Sequence, residues 1–542
     1  MMPVLLWKLT LGGLLVVATG GSALAAPQAE VAPREERIIL TPKPGPAPCI
    51  HGPRLFGVRP GRPLIYRIPC TGERPLEFSV SGLPAELKVD SAFGIITGTA
   101  PAKRGEYVIT CHAKNEHGVA AKEFTVVVGD KLALTPPMGW NSWYTWYHTI
   151  TDKKMREAAD QMVATGMADV GYMYVNIDDC WMMQSPEGYR IRKSRLHGQD
   201  VKATVGKTRG PHGEFFTNAN FPDMRAMTDY IHAKGLRAGV YTSPGPRTCQ
   251  QYKGSYQHER QDAEQFAAWG FDFLKYDWCT YGGVYRERLK ITNNDLLEKQ
   301  RPFMEMGDLL EDLDRDIVFN LCQYGMADVW KWGESVGGHC WRTTGDLGLT
   351  RGDCLPGFYK IGFANMRHYE HAGPGAWNDP DYILIGHVGV PPAAGFQEPK
   401  PTRLTPNEQY SYMTMWSLMA APLFFSGDMA RLDAFTLNVL CNPEVIDVNQ
   451  DALGKQARPI RFTDDELALA KPMEDGSLAL GLFNLAETPR EVAVSWNELE
   501  LTGRRRVRDV WRHKDLGEFD QTYRATVNRH GVAFLRLFPV NP

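Results

Sequence analysis

The chain lacks any appreciable net charge: 60 Lys and Arg stand against 63 Asp and Glu over 542 residues, a formal −3. So weak a field excludes bulk electrostatic attraction to nucleic acid or to an anionic membrane. The one basic run, Arg504 to Arg508, is interrupted by Val507 and reads as a solvated strand rather than a binding patch. Long apolar runs are also missing. Leu9 to Ala18 falls short of the ~20 residues that cross a bilayer, and no other stretch approaches that length. Ten cysteines contain no Cys-x-x-Cys pair, which leaves zinc without an evident ligand set. No metal and no other cofactor is expected.

What is present begins with a leader. Lys8 precedes the apolar run, and Ala23-Leu24-Ala25 supplies a small-residue cleavage pattern, so residues 1–25 read as a signal peptide. The expected location is secreted or periplasmic, free of the membrane once the leader is removed. In such an oxidising compartment the cysteines can form bridges, although spacing alone leaves their connectivity open.

Residues 26–48 are rich in Pro and Ala, with Pro42, Pro44, Pro46 and Pro48 close together, and read as an extended linker. Over 49–130 apolar residues alternate with period two: Phe78 and Val80, Leu87 and Val89, Tyr107 and Ile109, Phe124 and Val126. This segment, with Gly82-Leu83-Pro84 and Gly94-Ile95-Ile96-Thr97-Gly98, resembles Ig-like modules, and a small β-sandwich is expected. After Lys131 the rhythm becomes helix, glycine, strand. Met155, Ala159, Met162 and Val163 precede Gly171; Met224, Met227 and Ile231 precede Gly235; Phe266 and Trp269 precede Gly270. Glycine stops a helix because it accepts the left-handed conformation without steric cost. Three such units imply parallel strands covered by helices, and a (β/α)8 TIM barrel over 131–456 is expected. A doubly wound open sheet would gather ligands at one switch point, whereas here almost every strand ends in polar residues. From 457 to 542 alternation returns around the Asp475-Gly476 turn, giving a C-terminal antiparallel β-sandwich.

The expected strand ends carry Asp178-Asp179, Tyr241, Lys275-Tyr276-Asp277, Gln323, Arg342 to Asp346, and Asp379 to Asp381. Carboxylates at one face suit glycoside hydrolysis, a divalent metal, or sugar binding without turnover. A metal site calls for His or several carboxylates without cations nearby. Lys275 lies two residues from Asp277 and so on the same side of the strand, where an ammonium favours the ionised carboxylate and lowers its pKa. That suits a nucleophile. A second carboxyl in a less cationic pocket keeps its proton and acts as general acid. Tryptophans near the acids suit sugar stacking.

These residues carry a resemblance. Thr135-Pro136-Pro137-Met138-Gly139-Trp140-Asn141-Ser142-Trp143 resembles the opening strand of glycoside hydrolase family 27, the α-galactosidases and α-N-acetylgalactosaminidases. Asn176 to Trp181, Leu274 to Asp277, Gly375 to Asp381 and Val448 to Asp451 match in family order. The resemblance implies that Asp277 is the nucleophile and Asp346 the acid/base of a retaining exo-α-galactosidase acting on carbohydrate with a terminal α-galactosyl residue. It implies that Asp178 and Asp179 grip the sugar's O4 and O6, that Trp143 is the aromatic floor, and that Tyr241, Lys275, Arg342 and Asp381 line the pocket. It also implies a Cys249–Cys279 disulfide, with Cys322–Cys340 as a further pair.

Three departures bear on specificity and pairing. Gln323 stands where the family carries Glu beside the sugar's 2-position, and Tyr382 replaces a more familiar Met. Cys180 lacks its usual first-strand partner and is expected to be unpaired. The alternatives within the family are an α-N-acetylgalactosaminidase and a β-L-arabinopyranosidase. Outside it stands a carbohydrate-binding protein without turnover.

Overall fold

Eight short parallel strands build the centre of the molecule: β1 (Met138–Asn141), β2 (Tyr174–Asn176), β3 (Arg237–Thr242), β4 (Phe273–Asp277), β5 (Val318–Cys322), β6 (Cys340–Arg342), β7 (Trp377–Asp379) and β8 (Leu423–Phe425). The computed structural model describes residues 35–193, 199–347, 357–389 and 398–540. The signal segment and the first part of the expected linker lie outside them. The strands run in the order β7-β6-β5-β4-β3-β2-β1-β8. A parallel bridge between Ile383, just past β7, and Phe425 of β8 closes the ring. The expected barrel is therefore found. The stop glycines behave as anticipated: Gly171, Gly235 and Gly270 have φ of 114°, 74° and 91°.

Strand period two and parallel register sort the inward residues into levels. Along β4, Phe273, Lys275 and Asp277 alternate with Leu274 and Tyr276, which pack into the surrounding core. The register sets Gly239 beside Phe273, Tyr241 beside Lys275, Lys275 beside Asn320 and Asp277 beside Cys322. At the lowest level Tyr174, Phe273 and Phe424 meet edge-on or tilted, with centroids 5.2 to 6.2 Å apart. All three come from even-numbered strands, as barrel layering requires. Above them, Gly239 is needed because a Cβ there would sit 2.0 Å from Asn176 Oδ1. Above this aromatic layer the next residues in period two on β2, β4 and β5 are the polar Asn176, Lys275 and Asn320.

Two β-modules flank the barrel. The N-terminal one is a four-stranded sheet facing a three-stranded sheet around Phe56, Tyr66, Phe78, Phe124 and Val126. It sits beneath the strand starts. Arg59 donates through its backbone N (2.9 Å) and Nε (2.5 Å) to Asp316, just before β5. Arg237, first in β3, donates to Ile65 O and lies 4.5 Å over the Phe56 ring. The segment read as linker is partly anchored. Leu40 N and Thr41 N donate to Asn438 Oδ1, and Tyr410 Oη donates to Ile38 O. The C-terminal module, a six-stranded sheet against a two-stranded one, joins the barrel through Trp511 Nε1 on Thr414 and Arg508 on Glu444.

Candidate active site

The loops leaving the tops of the strands bring the candidate residues together. Asp277 ends β4 and is 5% exposed. Tyr241 Oη, from β3, donates to its Oδ2 at 2.8 Å, and Tyr324 Oη, from the loop after β5, donates to its Oδ1 at 2.6 Å. Burial raises both phenols well above their ordinary range, so they keep their protons and act as donors. Burial likewise pushes Asp277 up to about 6, opposed by Lys275 and the two phenols. This corrects the expectation that Lys275 would leave the carboxyl with a lowered pKa: desolvation outweighs the ammonium. Lys275 Nζ pairs instead with Asp178 Oδ2 at 2.8 Å, both groups buried.

Asp178 also accepts the Tyr382 hydroxyl at 3.4 Å and the Asp179 N–H. Asp179 accepts the N–H groups of Cys180 and Gln250, and burial still pushes its carboxyl up to about 7. On the opposite side Arg342 lies between two acids, 3.3 Å from Asp346 and 3.1 Å from Asp381. Asp381 accepts Tyr144 Oη and Leu347 N at 2.8 Å each. Asp346 is not in the less cationic pocket expected for a general acid. It touches the guanidinium, and its side chain is 57% exposed because it rides on a loop past the end of β6.

Gln323 is 1% exposed, and its Oε1 accepts the Met326 N–H at 2.7 Å. Among the described residues its Nε2 has no hydrogen-bond partner, and neither do Arg342 Nε and Asp381 Oδ1. Trp143 is half-buried, edge-on to Tyr147 at 5.1 Å. The Cys249–Cys279 disulfide is present, with Cα atoms 4.8 Å apart, and ties the loop after β3 to that after β4. Cys180, Cys322 and Cys340 are free thiols. The Cys322–Cys340 expectation fails for a geometric reason. The register pairs Cys340 with Asn320, so Cys322 lies two residues further along the neighbouring strand. That offset puts the Cα atoms about 8 Å apart, beyond disulfide reach. Cys249, Asp277 and Cys279 lie close enough together to suggest a metal triad, but the two sulfurs are bonded to each other.

Sequence reasoning missed Tyr324 and Tyr144. Tyr324 lay within the motif segment around Gln323, yet nothing in its spacing pointed to a carboxylate on another strand. Tyr144 lies one residue past the opening motif.

A buried carboxylate held by two phenols, an exposed carboxyl on an arginine, and further acids around a barrel mouth define a glycosidase-type barrel. Comparison with known proteins makes this specific. A family model described as alpha galactosidase A matches residues 135–451, and one for the alpha galactosidase C-terminal beta sandwich matches 465–537. An Ig-domain model matches 48–129. The α-galactosidase of Cyamopsis tetragonoloba is 34% identical over 434 residues, 79% of this chain and 92% of that protein. A Bacteroides fragilis structure assigned to the α-galactosidases superposes with a TM-score of 0.78 at 31% identity, covering 91% of this chain and 98% of that one. The structure of α-galactosidase I from Mortierella vinacea gives 0.62 at 25% identity, with 75% and 97% covered. The chain belongs to the α-galactosidase family, glycoside hydrolase family 27, and is a glycoside hydrolase of that family.

Proposed function

We propose that this glycoside hydrolase is an exported, retaining exo-α-galactosidase that removes terminal α-linked galactose by double displacement. Asp277 is the nucleophile and Asp346 the acid/base. The observation that carries this reading is the pair of phenols on Asp277. Both of its oxygens act as acceptors, so the arrangement suits a carboxylate and leaves no natural recipient for a carboxylic proton. Asp346 suits the complementary role, because an acid/base must exchange a proton with solvent in each cycle. Lys275 pairs with Asp178 and orients that carboxyl for the O4 and O6 hydroxyls. A carboxylate nucleophile and a separate acid are the minimum that retention requires, and binding alone requires neither.

The 2-position is read by Gln323. Its carbonyl already accepts from Met326, and its N–H, unpartnered among the described residues, suits an oxygen acceptor on the sugar. Glutamine is about as bulky as the glutamate it replaces, so an acetamido group should be excluded. The leader at 1–25 supports export.

Proton NMR of a fresh digest of 4-nitrophenyl α-galactoside tests the mechanism: α-galactose should appear first, and initial β-galactose would mean inversion. Rates on the three nitrophenyl glycosides test specificity. The α-galactoside should exceed the α-N-acetylgalactosaminide and the β-L-arabinopyranoside in kcat/KM by roughly tenfold or more. If the acetamido substrate is best, the reading of Gln323 is wrong.

A further inference from the structure

Tyr324 has so far been described only as one of two donors to Asp277, yet its placement is costly. Its backbone lies at φ +66°, in the left-handed region that non-glycine residues rarely adopt. The next residue, Gly325, sits at φ +82°, where a Cβ would meet Thr343 O at 2.2 Å. Met326 N closes the turn on Gln323 Oε1. This constrained turn aims one phenol at Asp277 Oδ1, at 2.6 Å, with the ring 6.0 Å from the Arg342 guanidinium.

We propose that Tyr324 is a positioning residue for the nucleophile, fixing Asp277 Oδ1 and supporting the negative charge that returns to this carboxylate when the glycosyl–enzyme ester breaks. The inference rests on the reading of Asp277 as nucleophile. In the first step the sugar's C1 exchanges its bond to the leaving oxygen for one to Asp277, and Asp346 passes its proton to that oxygen. In the second, water attacks C1 and gives a proton to Asp346. As the new bond to water oxygen forms, the C1–Asp277 bond breaks, its electron pair left on the carboxylate. A phenol donor bonds the carboxylate more strongly than the neutral ester, so it favours ester breakdown.

The groups facing Asp277 are Lys275 on its own strand, Tyr241 on β3, the Cys249–Cys279 sulfurs, Cys322 and Tyr324 from β5 and its loop, and Asp346 beyond β6. Among them, Tyr241 and Tyr324 are the hydroxyls that donate to it. Loss of one of the two donors therefore has a defined sign.

Tyr324→Phe should move the acidic limb of the kcat/KM profile upward by about one pH unit, the worth of one charge-assisted hydrogen bond. It should also slow ester breakdown roughly tenfold, so that 4-nitrophenyl α-galactoside gives a burst of nitrophenol absent from the unaltered protein. Replacing Tyr324 by 3-fluorotyrosine keeps the shape and strengthens the donor, so the limb should move down; this measurement decides if the Phe variant fails to fold. An unmoved limb in both proteins, or in the fluorotyrosine protein alone when the Phe variant does not fold, overturns the inference. Labelling the unaltered enzyme with 5-fluoro-α-galactosyl fluoride, followed by peptide mass spectrometry, separates the two readings. A label on another carboxylate overturns the nucleophile assignment. A label on Asp277 with unmoved limbs overturns the role of Tyr324 alone.

Discussion

The two ends of the barrel spend their charged residues differently. At the bottom, arginines and aspartates beneath the strand starts are paired. Arg59 donates to Asp316 and to the carbonyls of Leu310 and Arg315. Asp272, though fully buried, is held below the ordinary carboxylate range by His232 and Arg315. At the top, burial raises Asp277, Asp179 and Asp381, while Gln323 Nε2, Arg342 Nε and Asp381 Oδ1 lack partners among the described residues. Backbone strain collects there too: Cys180, Cys279, Tyr324 and Asp381 all have positive φ. One end is arranged for stability and the other holds unspent interactions that a ligand can complete.

The largest expected contrast is in turnover. Asp277→Ala should lower kcat by three or more orders of magnitude, with partial rescue by azide, and leave thermal stability unchanged or improved. A fall in both would erase the distinction between the ends. Next in size is the bottom. Asp316→Ala leaves the Arg59 guanidinium without its carboxylate in a largely buried place, and should cost about 3–5 kcal/mol of unfolding free energy. At temperatures where the variant stays folded, kcat/KM should change less than twofold, as steady-state kinetics beside a denaturant titration would reveal.

The smallest effect is in pH, and its sign differs between the ends. Asp277, raised to about 6 from 3.8, binds its proton more tightly folded than unfolded. Its contribution to stability is therefore present below pH 4 and lost as pH rises through about 6, on the order of 1.4 kcal/mol for each tenfold difference in proton affinity. Asp272 is depressed, so its contribution is present above the unfolded value of 3.8 and lost as pH falls toward the folded one. Asp277→Asn should gain stability over the unaltered chain as pH rises from 4 to 7, read as a growing difference in Tm. Activity runs the other way: the ionised nucleophile is needed, so kcat/KM should fall below pH 6.

The barrel was legible because the glycines after three of the helices and the polar residues at most strand ends are local signals. The pairing of strand-end acids with an active face followed from topology alone. What could not be read was which groups meet across the lumen. Lys275 and Asp277 share a side of one strand, so their proximity was visible. That Lys275 would prefer Asp178, on a strand beyond β3, depends on side-chain reach and burial. The weight of desolvation on Asp277, the exposure of Asp346 and the phenol of Tyr324 are likewise products of packing. The β-pattern of the N-terminal module was plain in its alternation, whereas its place under the floor rests on single arginines that look like ordinary surface residues in sequence.

Besides its arginine contacts under the floor, that module is tied to the barrel at both ends of its chain. The chain first binds the barrel's outer wall, where Leu40 and Thr41 meet Asn438 and Tyr410 meets Ile38. It then crosses to build the sandwich and rejoins the barrel through Leu132, whose side chain packs in the cluster that contains the floor aromatics. Mechanically this is a bracket clamped at both ends, not a pendulum on a tether. Pulling on the chain ahead of residue 36 loads the barrel wall first, and the sandwich bears no force until those hydrogen bonds have broken.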